Sequence, residues 1–280
     1  NKMITIKEAL TKKEMKDYVM FSFELYKNNP YWIPPIIAEE LETFDKTKNP
    51  ALQTAEAHFY LAYKDNKIVG KIAAIINWEE VNLLGKRKAR FGWFDAIDDI
   101  EVTKALLDKV EELGRKHNMD HMEGPMGFSN LDKVGILSEG FDQMGNMITW
   151  YSLPYYITHF EQLGFIKEKE YTESDFSFNG INPEPFQKAS ELIKKRYELR
   201  SLNFTKTKDI MPYVDKMFDL FNETYAKLQS FVPINDIQKA YFKKKYISFI
   251  NPEFIKFIVD KNDNMIAFAI VMPGFASAMK

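Results

Sequence analysis

Several groups of residues in this chain have the side chains and spacing that chemistry requires. Asp95, Asp98, Asp99 and Glu101 place four carboxylates within seven positions. Such a cluster suits a metal or a general base. Asp98 and Asp99, however, stand directly before an apolar helical repeat and read first as helix caps favoured by the dipole. His117 and His121 lie four apart with Glu123 close by, which are metal-ligand types. Gly114, Asn118 and the start of a strand interrupt any helix between them, so no metal site is expected. His58 and His159 have no partner nearby in sequence. Ser129 and Asn130 follow Gly124-Pro125, where polar groups either bind a ligand or satisfy an irregular backbone. No Gly-x-Ser-x-Gly elbow surrounds Ser129, which argues against a hydrolase. Aromatic residues form the other candidate surface: Trp32 beside Pro34 and Pro35, then Trp93, then Tyr155 and Tyr156. They either line a substrate site or pack the end of a core.

The elements that must position these residues follow from periodicity. A short strand covers residues 2–7. Thr11 to Glu14 has the form of a capping box and opens a helix ending near Pro30. A stiff Pro-aromatic loop, residues 30–35, leads to a helix over 36–44. Residues 58–63 and 67–77 form a hairpin about Lys64-Asp65-Asn66. Residues 88–95 are a strand, 100–117 a helix, and 120–123 a strand stopped by Gly124-Pro125. The stretch 126–153 is irregular and too long for an ordinary connection. A helix over 154–163 follows. Residues 165–178 supply two further strand segments, and 185–197 form another helix.

The 280 residues carry 38 Lys and Arg against 40 Asp and Glu, unevenly placed: −7 over residues 1–180 and +5 over 181–280. Neither part is a basic nucleic-acid surface. Lys243-Lys244-Lys245, between Phe242 and Tyr246, reads as a solvated face. With no Cys, thiolate metal sites, disulfides and cysteine nucleophiles are excluded, and a cytoplasmic setting fits. Apolar runs as short as residues 72–76 do not span a membrane, and no signal peptide is apparent.

The order of elements begins again after residue 198. A gapless shift of 198 carries residues 59–72 onto 257–270 with Phe, Asp, Asn, Ile and Ile in common. Trp32-Ile33-Pro34 matches Phe231-Val232-Pro233 at 199, and Ile4 and Ile6 match Leu202 and Phe204 at 198. Two copies are therefore expected: residues 1–178, a linker and helix over 179–198, and the first part of a second copy over 199–280. On repeat logic the second copy stops about 96 residues before its matching end.

The order strand, helix, helix, hairpin, strand, helix, strand, helix resembles the GCN5-related N-acetyltransferase (GNAT) superfamily. Tyr155-Tyr156 to Phe160-Glu161, Leu163-Gly164-Phe165 resembles its penultimate helix and the "E-x-x-G-F" ending. Residues 91–95, 124–129, 135–142 and 154–156 resemble an uncharacterised bacterial group of tandem GNAT-like proteins. The resemblance implies a mixed α+β fold, present in tandem with the second copy incomplete. Its sheet splays between residues 88–95 and 120–123 and holds acyl-CoA in the gap. The first copy departs from the pattern. Asp95 to Glu101 replaces a Gly-rich pyrophosphate loop, and Phe160 stands where a Tyr often serves as general acid. No cofactor is therefore expected in residues 1–178, whereas acetyl-CoA or another acyl-CoA is possible in a complete second domain.

Three functions are compatible with this reading. The first is an acyl-CoA-dependent transferase acting on a small-molecule amine, with its chemistry in the second domain. The second is a non-catalytic binding module built from degenerate copies. The third is an aminoacyl-tRNA-dependent transferase, which the near-neutral charge disfavours. Catalytic residues are not assigned, and the oligomeric state is left open. The substrate-binding candidates are Trp32, Pro34, Trp93, Asp95, Ser129, Asn130, Tyr155 and Tyr156, facing a cleft expected to prefer a neutral or cationic ligand.

Overall fold

A computed structural model describes residues 3–228 and 230–280. The chain divides into a first unit, up to Ile166 together with Gly274–Lys280, and a second unit, Lys167–Pro273.

The first unit opens with β1 (Ile4–Glu8) and α1 (Lys12–Leu25). The expected capping box is present: Thr11 accepts from the Glu14 N–H, and Glu14 reaches back to the Thr11 N–H. Two short helices follow, α2 (Ile37–Thr43) and α3 (Ala51–Thr54). Then come β2 (Ala55–Lys64), β3 (Lys67–Asn77), α4 (Trp78–Leu84), β4 (Lys88–Ala96), α5 (Ile100–Lys116), β5 (His121–Glu123) and α6 (Tyr155–Gln162). The strands form one sheet in chain order, antiparallel from β1 to β4 and parallel between β4 and β5. Two apolar layers cover it. Val102, Leu106, Val110 and Leu113 of α5, with Tyr156 and Phe160 of α6, pack on Ile72, Ala74 and Phe91. Tyr18 and Val19 of α1, with Phe44 and Phe128, pack on Phe59, Leu61, Ala73 and Ile75. With both faces covered, β3 is buried from Val69 to Asn77.

The second unit contains α7 (Glu184–Tyr197), β6 (Arg200–Asn203), α8 (Thr207–Tyr225), α9 (Asp236–Phe242), β7 (Ile255–Val259) and β8 (Met265–Ile270). Its strands pair in the order β6-β7-β8, all antiparallel, which repeats β1-β2-β3. Among the described residues of 199–280 there is no counterpart of β4 or β5. The three consecutive lysines follow α9: Lys243 pairs with Asp215 at 2.6 Å, and Lys245 lies over the rings of Tyr241 and Tyr246.

Two expectations need correction. Residues 165–178 form no strand and are exposed from Ile166 onward. Charged residues crowd that segment, and no described strand pairs with it, so its scattered aromatics have no face to bury. The hairpins also differ in register. Asp65 (φ 51°) and Asn66 (φ 61°) make a two-residue turn between Lys64 and Lys67. In the second hairpin Asp263 donates to Asp260 O, takes φ 64°, and Asp260 donates to Asn264 O, which gives a three-residue loop. Ile72 therefore pairs with Tyr60, whereas Ile270 pairs with Ile255 instead of Ile258. An odd slip reverses which side chains face inward. The gapless shift keeps the strand order but not the facing of β8.

Candidate functional site

The site is built around a bulge in β4. Lys71 lies opposite Asp95 and Ala73 opposite Gly92, so Trp93 and Phe94 share the place across from Ile72. Trp93 takes φ 45°, a left-handed conformation uncommon for a bulky residue. The bulge directs Trp93 against Phe128 and Trp150, with ring centroids at 5.1 and 5.9 Å. It leaves Asp95 as the one incompletely buried residue of β4.

Asp95 is a hydrogen-bond hub. Its Oδ1 accepts from the hydroxyls of Tyr26 (2.8 Å) and Tyr156 (2.9 Å), and its Oδ2 from Ser22 Oγ (2.6 Å). Burial, then the adjacent Asp95 charge, pushes both tyrosines far above the ordinary phenol range, so they act as donors. Tyr26 also stacks on Trp32 at 5.1 Å.

β4 and β5 are paired only over Lys88–Arg90 and His121–Glu123. Past that point the chain after β5 lies against β4. Met126 donates to Phe91 O at 2.7 Å, and a Cβ on Gly92 would sit 2.1 Å from Met126 O. Glycine at 92 is what permits this approach. Between α1, residues 32–40, β3, β4 and residues 125–152 there remains a cavity of about 50 Å³.

Two lysines border that cavity. Lys71 is 3% exposed. Its Nζ lies 4.9 Å over the Tyr18 ring, and burial holds its pKa down, with Asp95 and Glu40 offsetting in part. Lys133 is half-buried. Burial lowers it too, Glu40 and Asp95 offset, and Lys71 adds to the lowering. Neither ammonium has a hydrogen bond or ion pair among the described residues. The surroundings expected to be acidic thus carry Glu40 and Asp95 together with two lysines.

The sequence candidates are distributed as follows. Trp32, Trp93 and Asp95 line the cavity, and Tyr156 reaches Asp95. Tyr155 donates to Ala96 O at 2.6 Å, while Ala96 N–H donates to Tyr156 at 3.0 Å. Pro34 is not part of the lining, although its neighbours Ile33 and Pro35 are. Ser129 and Asn130 lie outside it. Ser129 Oγ accepts from the Leu131 N–H, and Asp132 accepts from the N–H groups of Phe128 and Ser129, which satisfies the loop's own backbone. Ser22, Tyr26, Glu40, Lys71 and Lys133 escaped sequence reasoning. One signal existed for Lys71: a lone charge inside the apolar run from Val69 to Ile76.

The N-terminus of α5, where the resemblance would seat a pyrophosphate, is occupied by the protein itself. Asp99 Oδ1 accepts from the Glu101 N–H, and its backbone O from Val102 and Thr103. Lys64 pairs with Asp99 at 2.7 Å, and this hydrogen bond is the main reason the Asp99 pKa is lowered. Asp98 bonds His159 Nε2 at 3.0 Å, and His159 Nδ1 meets Thr103 Oγ1 at 2.8 Å. These residues do not fit a pyrophosphate: they bring carboxylates where N–H donors are needed. Phe160 is buried and stacked on Phe91.

Among the described residues no group of three or more His, Asp or Glu is suited to hold a metal. His117 pairs with Glu56 (2.8 Å), Glu123 with Lys88 (2.5 Å), and His121 is exposed. His58, without a partner in sequence, contacts Glu8 (2.6 Å) and Glu56 (3.0 Å).

An antiparallel β1–β4 sheet, a parallel β5 beside β4, and α5 between them in the chain define the architecture. This mixed α+β arrangement resembles the fold of the GCN5-related N-acetyltransferases, and β6-β7-β8 repeats its first three strands. No family model matches the chain. It is 26% identical over 279 residues to the protein YghO of Escherichia coli (strain K12), covering 98% of this chain and 69% of that one. It is 23% identical over 259 residues to the bacterial ceramide synthase of Caulobacter vibrioides, covering 92% and 67%. Among solved structures, a tandem GNAT protein from the clavulanic acid biosynthesis pathway matches at a TM-score of 0.49 and 11% identity, over 95% of this chain and 73% of that one. A predicted acetyltransferase with acetyl-CoA from Clostridium acetobutylicum matches at 0.38 and 13%, over 62% and 96%. Among the described residues no helix is long and apolar enough to cross a membrane.

Proposed function

We propose that this chain belongs to an N-acyltransferase that joins an acyl group from acyl-CoA to a small-molecule amine, giving an amide and free CoA. The observation that carries the reading is the sheet order, antiparallel from β1 to β4 and then a parallel β5 reached through the helix α5. Likeness to a ceramide synthase over 92% of the chain supports an amino alcohol as the acceptor, since a ceramide is the amide of such an amine. Residues 1–178 and 199–280 then correspond to two domains with different duties. In the first, the capped α5 terminus and the occupied Ala96 backbone favour a binding and structural role. Acyl-CoA binding and the transfer itself are then assigned to the second domain.

The test uses the full-length natural protein. Release of CoA thiol is followed with acetyl-CoA and a long-chain acyl-CoA, against sphinganine, spermidine and glycine as amines. The expected result is thiol release that depends on sphinganine. Release no faster than the amine-free control with every amine would refute the reading.

A further inference from the structure

We propose that the cavity beside Asp95 and Lys71 in the first unit is a binding site for a small organic carboxylate. The inference goes beyond acyl transfer, and it stands or fails without it.

The argument starts from which polar groups around the cavity are already used. Both Asp95 oxygens accept hydroxyls, two at Oδ1 and one at Oδ2, and those hydroxyls are thereby spent as donors. Asn146 Oδ1 accepts from the N–H groups of Ile148 and Thr149 and from Thr149 Oγ1. Ser152 Oγ accepts from the Leu137 N–H. Glu40 is engaged as well. What is left over is donor capacity. Lys71 and Lys133 carry six N–H donors between them, and no oxygen among the described residues receives any. A lysine only 3% exposed whose ammonium, among the described residues, meets no oxygen and faces the Tyr18 ring is an unusual thing to retain, because charges on buried side chains are ordinarily paired and hydrogen-bonded.

A ligand oxyanion supplies what is missing. A cation or a neutral amine would not, since it would find the carboxylates engaged and two like charges facing it. The size of the space selects within the anions. A volume of about 50 Å³ holds roughly three or four water-sized groups. A planar carboxylate on a short carbon chain fits that space, with its apolar end against Trp32, Trp93 and Trp150. Phosphate meets the same donors but offers nothing to the indole walls and brings more charge to desolvate.

Three of the chain's four tryptophans line the cavity, so intrinsic fluorescence reads its occupancy directly. The intact 280-residue chain is titrated with propionate, inorganic phosphate and ethanolamine at constant ionic strength. Propionate is expected to give a saturable change and ethanolamine none. Lys71→Met and, separately, Lys133→Gln are expected to weaken propionate binding at least tenfold, with melting curves showing that both variants are folded. Using two variants keeps the test alive if one of them misfolds. Four outcomes overturn the proposal: no saturable change with propionate to 100 mM; saturation unaffected by both substitutions; tighter binding of phosphate than of propionate; or saturation by ethanolamine alone.

Discussion

The two ends of β4 treat buried charge in opposite ways. At its start, Glu80, Lys88 and Arg90 are almost wholly buried and closed on one another. Arg90 meets both oxygens of Glu80 at 2.9 and 3.0 Å, and Lys88 bridges Glu80 (3.1 Å) and Glu123 (2.5 Å). Arg90 also donates to Gly127 O. At its end, Asp95 is neutralised by hydroxyls and Lys71 by an aromatic face, and no direct ion pair joins them. The first cluster holds β4, β5 and α4 together and gives both cations carboxylate partners. The second leaves donors over. A closed network belongs to stability, and an open one is a place for something else to bind.

If this contrast is right, the largest effect comes from opening the closed end. Glu80→Gln strands Lys88 and Arg90 without their shared carboxylate, and should cost about 3–5 kcal/mol in urea unfolding. A loss below about 1 kcal/mol would remove the distinction between the two ends. Asp95→Asn weakens three hydroxyl bonds to a charge without creating a cavity. A loss of about 2 kcal/mol is expected in the same assay, together with a changed Trp emission.

Lys71→Met should act in the opposite direction and stabilise the chain by about 1 kcal/mol at neutral pH, because it removes a buried charge that has no ion pair among the described residues. The sign follows from proton linkage. The folded pKa of Lys71 lies below its ordinary value, so the unfolded chain binds more protons between the two, and native stability rises with pH across that window. The gain from methionine should therefore shrink as pH climbs toward 10.5, as melting temperatures of the two proteins at several pH values would reveal. A stability loss at every pH would mean that Lys71 is paired after all.

The smallest effect is expected away from β4. For His58, burial opposes protonation, but Glu56 and Glu8 outweigh it and raise the pKa. Its contribution is full below pH 6.5 and fades as pH rises through the folded value. His58→Gln should cost a few tenths of a kcal/mol at pH 5.5 and nothing at pH 8.5, measured by the shift in urea midpoint.

Much of this architecture was legible because it is local. The Thr11 capping box, the Asp99 cap and the apolar stripe of α5 depend on neighbours within a turn or two. The β3 and β8 segments show where such reasoning stops. Both are apolar, yet β3 is buried on both faces while Ile266 of β8 is about half exposed. The difference lies in β4, which flanks β3, and α5, which covers it; among the described residues neither has a counterpart beside β8, although α8 packs on β8 as α1 does on β3. Similarly, Asp95, Trp93 and Trp32 could be nominated from composition and resemblance. That Lys71 joins them required the bulge at Trp93 and Phe94, which no spacing announces. Ser129 and Asn130 looked equally promising, but neither lines the cavity, and Ser129 turns its polar atoms back on the loop.

The clamp on Ala96 has a consequence for access. To free this edge of β4 for any ligand, Tyr155 and Tyr156 would have to release the Ala96 C=O and N–H, and Asp99 the Glu101 N–H. Each change alone frees a polar group with no ligand yet placed to receive it, and one of them also removes a donor from Asp95. Intermediates along that route are less stable than either end, so the change works as a ratchet. Opening the Ala96 edge to any ligand therefore requires these changes together rather than one at a time.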